Sequence, residues 1–399
     1  MRKIKQAVIL AGGQGTRLRP LTNNTPKPLI PINGKPFVQY ILENLKENNI
    51  REVVFLVGYL GDKIEEYFGD GSKFGLKISY SYSPIEFDTG SRIREARKLF
   101  DDTFLLLFCD NYWPLDLKEL LKFYNNVGTP ASVTIYKNFY NYTINKIKVT
   151  DKNLVEIYDK TGKSAGLNGV DIGYFILKKN LLRNLPKENF SFEKVIMQKL
   201  ITEKQLAGFM SSHKYYGLSN LERIQDIENY FKPKNVIFLD RDGIINKKPP
   251  RADYVKSWDE FHLLPHALEA LKLLTKQNYD IYIVTNQAGI GRGMMTEKDL
   301  QTIHKNFLKI CNDNGITIKQ IYFCPHDWNT NCECRKPKPG MFFQAAAEHN
   351  FDLTKALFIG DDDRDKIAGE VAGCKTYLMK PNSSLLKKVK SIVDPRILI

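Results

Sequence analysis

A chain of 399 residues exceeds what one hydrophobic core ordinarily supports, so length alone points to two domains. Its 43% hydrophobic content falls in short runs, none near the roughly 20 consecutive apolar residues of a membrane span, and no membrane insertion is expected. The net charge of +14 comes from Lys and Arg scattered among acids rather than gathered into a stripe, which argues against a nucleic-acid partner and for anionic small molecules.

The first residues lead straight into the strand-like run 7–10 without the longer apolar core of a secretory leader, so the expected address is cytoplasmic. Apolar runs at 53–57 and 104–108 continue a first series of strands separated by amphipathic helical stretches. A helix is predicted over 221–230, and Lys232-Pro233-Lys234-Asn235 breaks it, so the boundary falls there: residues 1–232, then 233–399. A second series follows at 236–239, 281–284, 321–323 and 356–359, with a helix predicted over 265–277. Strands alternating with helices twice over predict an α/β protein of two doubly wound domains, each a Rossmann-like sheet covered on both faces.

Gly12, Gly13 and Gly15 follow the first strand, with Thr16 and Arg17 after them. Glycines let the backbone close on a ligand and turn its N–H groups onto phosphate oxygens, and Arg17 adds fixed charge. Lys27 lies between prolines in Thr25-Pro26-Lys27-Pro28-Leu29, which hold the backbone extended and deliver an ammonium to a defined place. Asp110 ends the run 104–109, at the edge of the sheet where such folds bind ligands.

Gly-Gly-x-Gly-Thr-Arg-Leu followed by Pro-Lys-Pro-Leu resembles the signature of the sugar-1-phosphate nucleotidyltransferases. The resemblance implies attack of a sugar phosphate oxygen on the α-phosphate of a nucleoside triphosphate, with Arg17 and Lys27 stabilising charge and Asp110 holding Mg²⁺. It further implies that Asp159-Lys160, Asp171 and Glu193 serve the sugar phosphate and that Gly90 lies in the floor of the nucleotide pocket. Two segments depart from the family pattern. Tyr215-Tyr216-Gly217 stands where many members carry a second metal-binding acid, and Asp88-Thr89-Gly90-Ser91 replaces a Gly-Thr-Ala/Gly-Gly segment, so neither a second Mg²⁺ nor a base preference carries over directly.

In the second series, Asp240 and Asp242 lie two residues apart after a buried strand, a spacing that suits a nucleophile and an acid/base acting on one phosphoryl group. Asp361, after the run 356–359, completes an oxygen-rich Mg²⁺ set with them, Thr285 offers a hydroxyl to phosphate oxygens, and Lys336 offers countercharge. This order of pieces resembles the haloacid dehalogenase-like phosphatases and implies an aspartyl-phosphate on Asp240, with Asp242 as acid and then base.

Of six cysteines, three crowd between 324 and 334. Cys324, His326, Cys332 and Cys334 make a closed set for structural Zn²⁺. Cys109, Cys311 and Cys374 read as reduced core residues. The zinc loop delivers Arg335 and Lys336, and with the segment Asn286-Gln287 to Arg292-Gly293 it resembles the branch of heptose-bisphosphate 7-phosphatases and histidinol phosphatases, with a minimal cap. Arg292-Gly293 and the run 335–341 favour the heptose side, histidinol phosphatase being the alternative.

A phosphatase making a sugar 1-phosphate feeds a sugar-1-phosphate nucleotidyltransferase, so the joined resemblances imply a bifunctional enzyme of nucleotide-activated heptose formation. By the same resemblance GTP is the favoured triphosphate. The rival reading is a non-catalytic N-terminal domain that senses a sugar nucleotide. The oligomeric state is left open.

Overall fold

The computed structural model describes residues 4–139 and 141–393. The chain divides into two compact units, Met1–Phe231 and Lys232–Ile399. The sheet of the first unit contains β1 (Gln6–Ala11), β2 (Glu52–Val57), β3 (Lys77–Tyr82), β4 (Thr103–Phe108), β5 (Ala131–Tyr136), β6 (Val170–Lys178) and β7 (Leu206–Ser211). Their order is β7-β5-β6-β4-β1-β2-β3, all pairs parallel except those made by β6, which runs antiparallel to both neighbours. The sheet is mixed and doubly wound. Successive residues of β1 face opposite sides: Ala7, Ile9 and Ala11 join one buried cluster, Val8 and Leu10 the other. Burial on both faces explains why the central strands read as unbroken apolar runs.

Helix α1 (Phe37–Glu47) covers the first face through Phe37, Val38, Ile41, Leu42 and Leu45. Helix α2 (Thr89–Ala96) packs on the other through Ile93 and Ala96. Its approach is set by Gly90, where a Cβ would come within 2.3 Å of the Phe190 ring and 2.8 Å of the Phe190 carbonyl. Helices α3 (Leu117–Val127) and α4 (Glu222–Phe231) return to the first face. No helix among the described residues is long and apolar enough to cross a membrane.

Register places the functional loops. Leu10 pairs with Phe108 and Ala11 with Val57, so Gly12, Gly58 and Asp110 leave the sheet side by side. The chain passes from β1 to β2 on one side and places β4 on the other, which opens a crevice at the carboxyl end of β1.

The second unit is an all-parallel sheet of β8 (Asn235–Leu239), β9 (Tyr279–Asn286), β10 (Ile318–Cys324), β11 (Leu357–Gly360) and β12 (Lys375–Leu378), in the order β10-β9-β8-β11-β12. Helices α5 (Ala267–Lys276), α6 (Glu297–Asp313) and α9 (Leu385–Val393) bury Leu271, Phe307 and Val389 on one face. Helices α7 (Gly340–His349) and α8 (Asp363–Ala372) bury Phe342 and Ala368 on the other. The predicted helix over 265–277 starts later because His266 takes φ 62°, a left-handed backbone that lies outside the helix. Leu239 pairs with Ile283 and Ile359, so β8 opens a second crevice at its carboxyl end.

Beneath that crevice Arg241 is fully buried, with Nη1 3.3 Å from His304 Nε2 on α6. Burial and then the Arg241 charge push the His304 imidazole down to about 3 from its ordinary 6.5. His304 is neutral in the folded unit, and between pH 6.5 and about 3 it takes up a proton on unfolding. Its contribution is fully present above pH 6.5 and is lost as pH falls from 6.5 towards 3, at up to about 1.4 kcal/mol per pH unit.

Two outcomes follow. The urea midpoint of the second unit falls across that acid window, and falls less steeply in His304→Gln. Gly90→Ala costs the first unit about 1–3 kcal/mol through overpacking on Phe190, read as a lower midpoint for that unit alone.

Candidate active sites

In the first unit the backbone of Gly15 turns left-handed, at φ 63°, and the Thr22 hydroxyl donates to its carbonyl at 3.0 Å. Pro26 is extended, as its flanking position predicts, and Lys27 opens a short 3₁₀ turn that aims its side chain at the end of β4. There Lys27 Nζ donates to Asp110 Oδ2 at 2.5 Å. Gly12, Gly13, Thr16, Arg17, Lys27 and Asp110 line one cavity of about 320 Å³. Gly90 does not line it. Its missing Cβ serves the contact of α2 with Phe190, which corrects its expected place in the pocket floor.

Arg17 and Asp110 also line a second cavity of about 370 Å³, with Lys146, Asp171, Glu193 and Arg223. Burial pushes the Asp171 carboxyl up to about 6, against the Gly173 N–H that donates to it at 2.7 Å. Glu193 is half-buried, yet the Ser191 hydroxyl and Lys160, at 2.7 and 3.1 Å, hold it below its ordinary value. Of the expected Asp159-Lys160 pair only Lys160 turns to this site. Asp159 instead accepts from the backbone and hydroxyls of Thr161 and Ser164.

Tyr216–Gly217 pairs with Asn111–Tyr112, and the Leu218 N–H donates to the Asp110 carbonyl. That segment passes beside Asp110 without an acid. Among the described residues Asp110 belongs to no group of three or more His, Cys, Asp or Glu side chains close enough to share an ion. Sequence reasoning misses Arg92, whose buried guanidinium reaches the same cavity as Lys27 from α2. A charged residue on the buried face of a helix is the signal it offered.

In the second unit Asp240 Oδ1 accepts from Lys336 Nζ at 2.7 Å, and the same ammonium meets Asp365 Oδ1 at 2.6 Å. Lys336 is 3% exposed. Its backbone is gripped at both ends by Asn286, whose Nδ2 donates to the Lys336 carbonyl and whose Oδ1 accepts from the Lys336 N–H, each at 3.0 Å. Asp240, Asp361 and Asp365 bring carboxylate oxygens within 4.8 Å of one another. The sequence reading places Asp242 in that set, but the structure has Asp365 there.

Asp242 faces the other way, towards Arg241 at 3.0 Å, Asn246 at 2.8 Å and Gln287 at 3.0 Å. Although burial opposes it, the Arg241 guanidinium and these hydrogen bonds hold the Asp242 carboxyl low. Gln287 also donates to the Thr285 hydroxyl at 2.8 Å, tying Thr285 to Asp242.

The cavity over these groups measures about 1070 Å³ and is lined by Asp240, Asp242, Thr285, Asp361 and Arg335 among others. Arg335 Nη1 is buried there with no hydrogen-bond partner. Arg292 is not among the lining residues; it stacks on Trp328, its guanidinium carbon 4.3 Å from the ring centroid. At the end of β10, Cys324 Sγ lies 3.6 Å from Cys332 Sγ and 3.5 Å from His326 Nδ1, which lies 3.2 Å from Cys334 Sγ. These are close to the edges of a tetrahedron with metal–sulfur bonds of about 2.3 Å.

The family model described as nucleotidyl transferase matches residues 6–218, and that described as polynucleotide kinase 3 phosphatase matches residues 235–383. The D-glycero-beta-D-manno-heptose-1,7-bisphosphate 7-phosphatase of Pseudomonas aeruginosa is 34% identical over 147 residues, 37% of this chain and 82% of its own length. The D-glycero-alpha-D-manno-heptose 1-phosphate guanylyltransferase of Campylobacter jejuni is 34% identical over 195 residues, 48% of this chain and 85% of its own length. A crystal structure of the D,D-heptose 1.7-bisphosphate phosphatase from B. bronchiseptica complexed with magnesium and phosphate is 34% identical, covering 40% of this chain and 86% of that one, with a TM-score of 0.36. Both halves therefore match enzymes, and the chain belongs to the nucleotidyl transferase family through its first unit and to the phosphatase family of the Pseudomonas relative through its second.

Proposed function

We propose that this chain removes the 7-phosphate of D-glycero-D-manno-heptose 1,7-bisphosphate and then transfers GMP from GTP to heptose 1-phosphate. The observation that carries this reading is the pair of relatives, one for each unit: loss of the 7-phosphate from a heptose 1,7-bisphosphate leaves a heptose 1-phosphate, the class of acceptor named for the guanylyltransferase, the two names differing in anomer, beta for the phosphatase and alpha for the guanylyltransferase.

In the phosphatase unit, Asp240 attacks the phosphorus, the bond from phosphorus to the sugar oxygen breaks, and Asp242 gives that oxygen a proton. Asp242 then takes a proton from water, which attacks the aspartyl-phosphate and frees Asp240. Asp242 is held low while the site is empty of substrate, and the arriving phosphate dianion raises it to the acid form. The donors of Asp240, Asp361 and Asp365 are hard oxygens that suit Mg²⁺, which supplies the charge that lets a carboxylate approach a phosphate dianion. Thr285 and Lys336 hold the transferring phosphoryl group, and the unpartnered Nη1 of Arg335 supports a grip on the second phosphate.

In the transferase unit, an oxygen of the sugar 1-phosphate attacks the α-phosphorus and pyrophosphate leaves. Arg17 and Lys27 face the developing charge, while Lys160, Asp171 and Glu193 orient the sugar phosphate. Asp110 would hold Mg²⁺, which would supply positive charge against the substrate phosphates. Three thiols and an imidazole at tetrahedral spacing suit structural Zn²⁺ held by Cys324, His326, Cys332 and Cys334, which fixes the loop that ends in Arg335 and Lys336. Such a thiol set needs a reducing compartment and supports a cytoplasmic address.

Phosphorus NMR of the chain with heptose 1,7-bisphosphate, GTP and Mg²⁺ shows phosphate and pyrophosphate release in sequence. Asp240→Asn abolishes the first and spares pyrophosphate release from added heptose 1-phosphate, whereas Asp110→Asn does the reverse; retention of both products in either variant refutes the assignment. Cys334→Ser purifies with less than half the zinc of the unaltered chain and lowers the melting temperature of the second unit. Equal zinc content in the two proteins removes Cys334 from the metal set.

A further inference from the structure

Arg92 is 4% exposed, and Asp88 and Glu86 act on its charge without an ion pair among the described residues. Its Nη1 donates to the Val57 carbonyl at 2.9 Å and the Ser83 hydroxyl at 2.6 Å, and its Nη2 to the Ile85 carbonyl at 3.1 Å. The Nε–H and one Nη2–H are given no protein acceptor by the described residues, and Nε and Nη2 are the edge of the guanidinium left to a ligand. The guanidinium fits only because Gly12 and Gly58 lack side chains, since a Cβ at either would lie 2.4 Å from it. Two glycines thus frame one buried cation at the wall of the cavity that holds Lys27 and Asp110.

Within that cavity Arg92 lies apart from those two residues across the strand ends. Gly12 and Gly58 end the adjacent strands β1 and β2, whereas Asp110 ends β4 on the far side of β1. Two strand spacings, roughly 10 Å, divide the ends of β2 and β4. That is the scale on which a nucleotide's base stands off from its phosphates. Asp110, Lys27 and Arg17 mark the phosphate end, so Arg92 lies at the base end. Phe87 and Asp88 line the cavity with it. Asp88 is exposed and one helical turn before Arg92, whose N–H donates to the Asp88 carbonyl at 3.1 Å.

We propose that Arg92 reads the base of the nucleoside triphosphate and, with Asp88, selects guanine. Guanine offers adjacent acceptors, O6 and N7, to a guanidinium fork, and its ring N–H and amino group give the Asp88 carboxylate donors on the neighbouring edge. Adenine and cytosine turn an amino group towards the fork, and uracil offers a lone O4. This rests on the first unit being a nucleotidyltransferase, and the test keeps the two apart.

Pyrophosphate release from GTP and UTP with heptose 1-phosphate is measured for the full chain and for Arg92→Ala, Arg92→Lys and Asp88→Ala, alongside calorimetric affinities for GTP and UTP. The unaltered chain favours GTP, and each variant lowers the GTP-to-UTP ratio by about tenfold or more, Arg92→Lys included because it keeps the charge and loses the fork. Absence of a GTP preference in the unaltered chain overturns the proposal, as does a ratio that stays within about twofold in the variants. Should Arg92→Ala not fold, Arg92→Lys and the exposed Asp88→Ala decide by the same ratio. If no triphosphate releases pyrophosphate, the transferase reading fails, and the calorimetric ratio still decides whether Arg92 reads the base.

Discussion

A carboxylate at the carboxyl end of a buried parallel strand must meet a positive charge, and both units of this chain supply it with a lysine that precedes a proline. Lys27 reaches Asp110 at 2.5 Å, and Lys336 reaches Asp240 at 2.7 Å. In each unit the acid follows a strand near the switch point of a doubly wound sheet, and a separate loop of restricted backbone brings the ammonium. The rest of each site is arranged around that contact. Glycines, hydroxyls and further cations surround Asp110, while further acids, Asn286 and the thiol loop surround Asp240.

The two pairs differ in what surrounds them, and the difference suits their proposed chemistry. Lys27 and Asp110 are partly open, at 12% and 28% side-chain exposure, so water shares their charge and the pair separates cheaply when a nucleotide arrives. Lys336 and Asp240 are more enclosed, at 3% and 11%, and Asp365, the second carboxylate on Lys336, is at 2%. A buried ion pair adds little net stability, but deleting one partner strands the other in a medium of low dielectric. Lys336 is therefore as much a condition for folding that crevice as the grip on phosphate proposed for it, and Asn286 spends both ends of its amide on holding the Lys336 backbone still.

The sequence shows what is local. Strands β1, β2, β4, β8, β9 and β11 are legible because burial on both faces leaves apolar runs, and Asp110, Asp240 and Asp361 each follow such a run. Asp365 does not, since it lies in the first turn of α8, where its carboxylate also closes a capping box with Asp362 and so passes for a helix start. Strands β3, β5, β6, β7 and β12 are absent from the sequence reading, and in the edge strands β3 and β12 the runs Lys77-Ile78-Ser79-Tyr80 and Lys375-Thr376-Tyr377 carry polar faces. Gly90, Arg92 and Asp242 depend on contacts with residues far along the chain, Phe190, Gly58 and Gln287, which no local pattern records.

Arg17 and Asp110 line both cavities of the first unit, so those cavities share one wall. On the proposed reaction the nucleotide-sugar product spans that wall and fills both chambers at once. It then competes with the triphosphate and with the sugar phosphate alike, and accumulation of product throttles its own synthesis without a separate regulatory pocket.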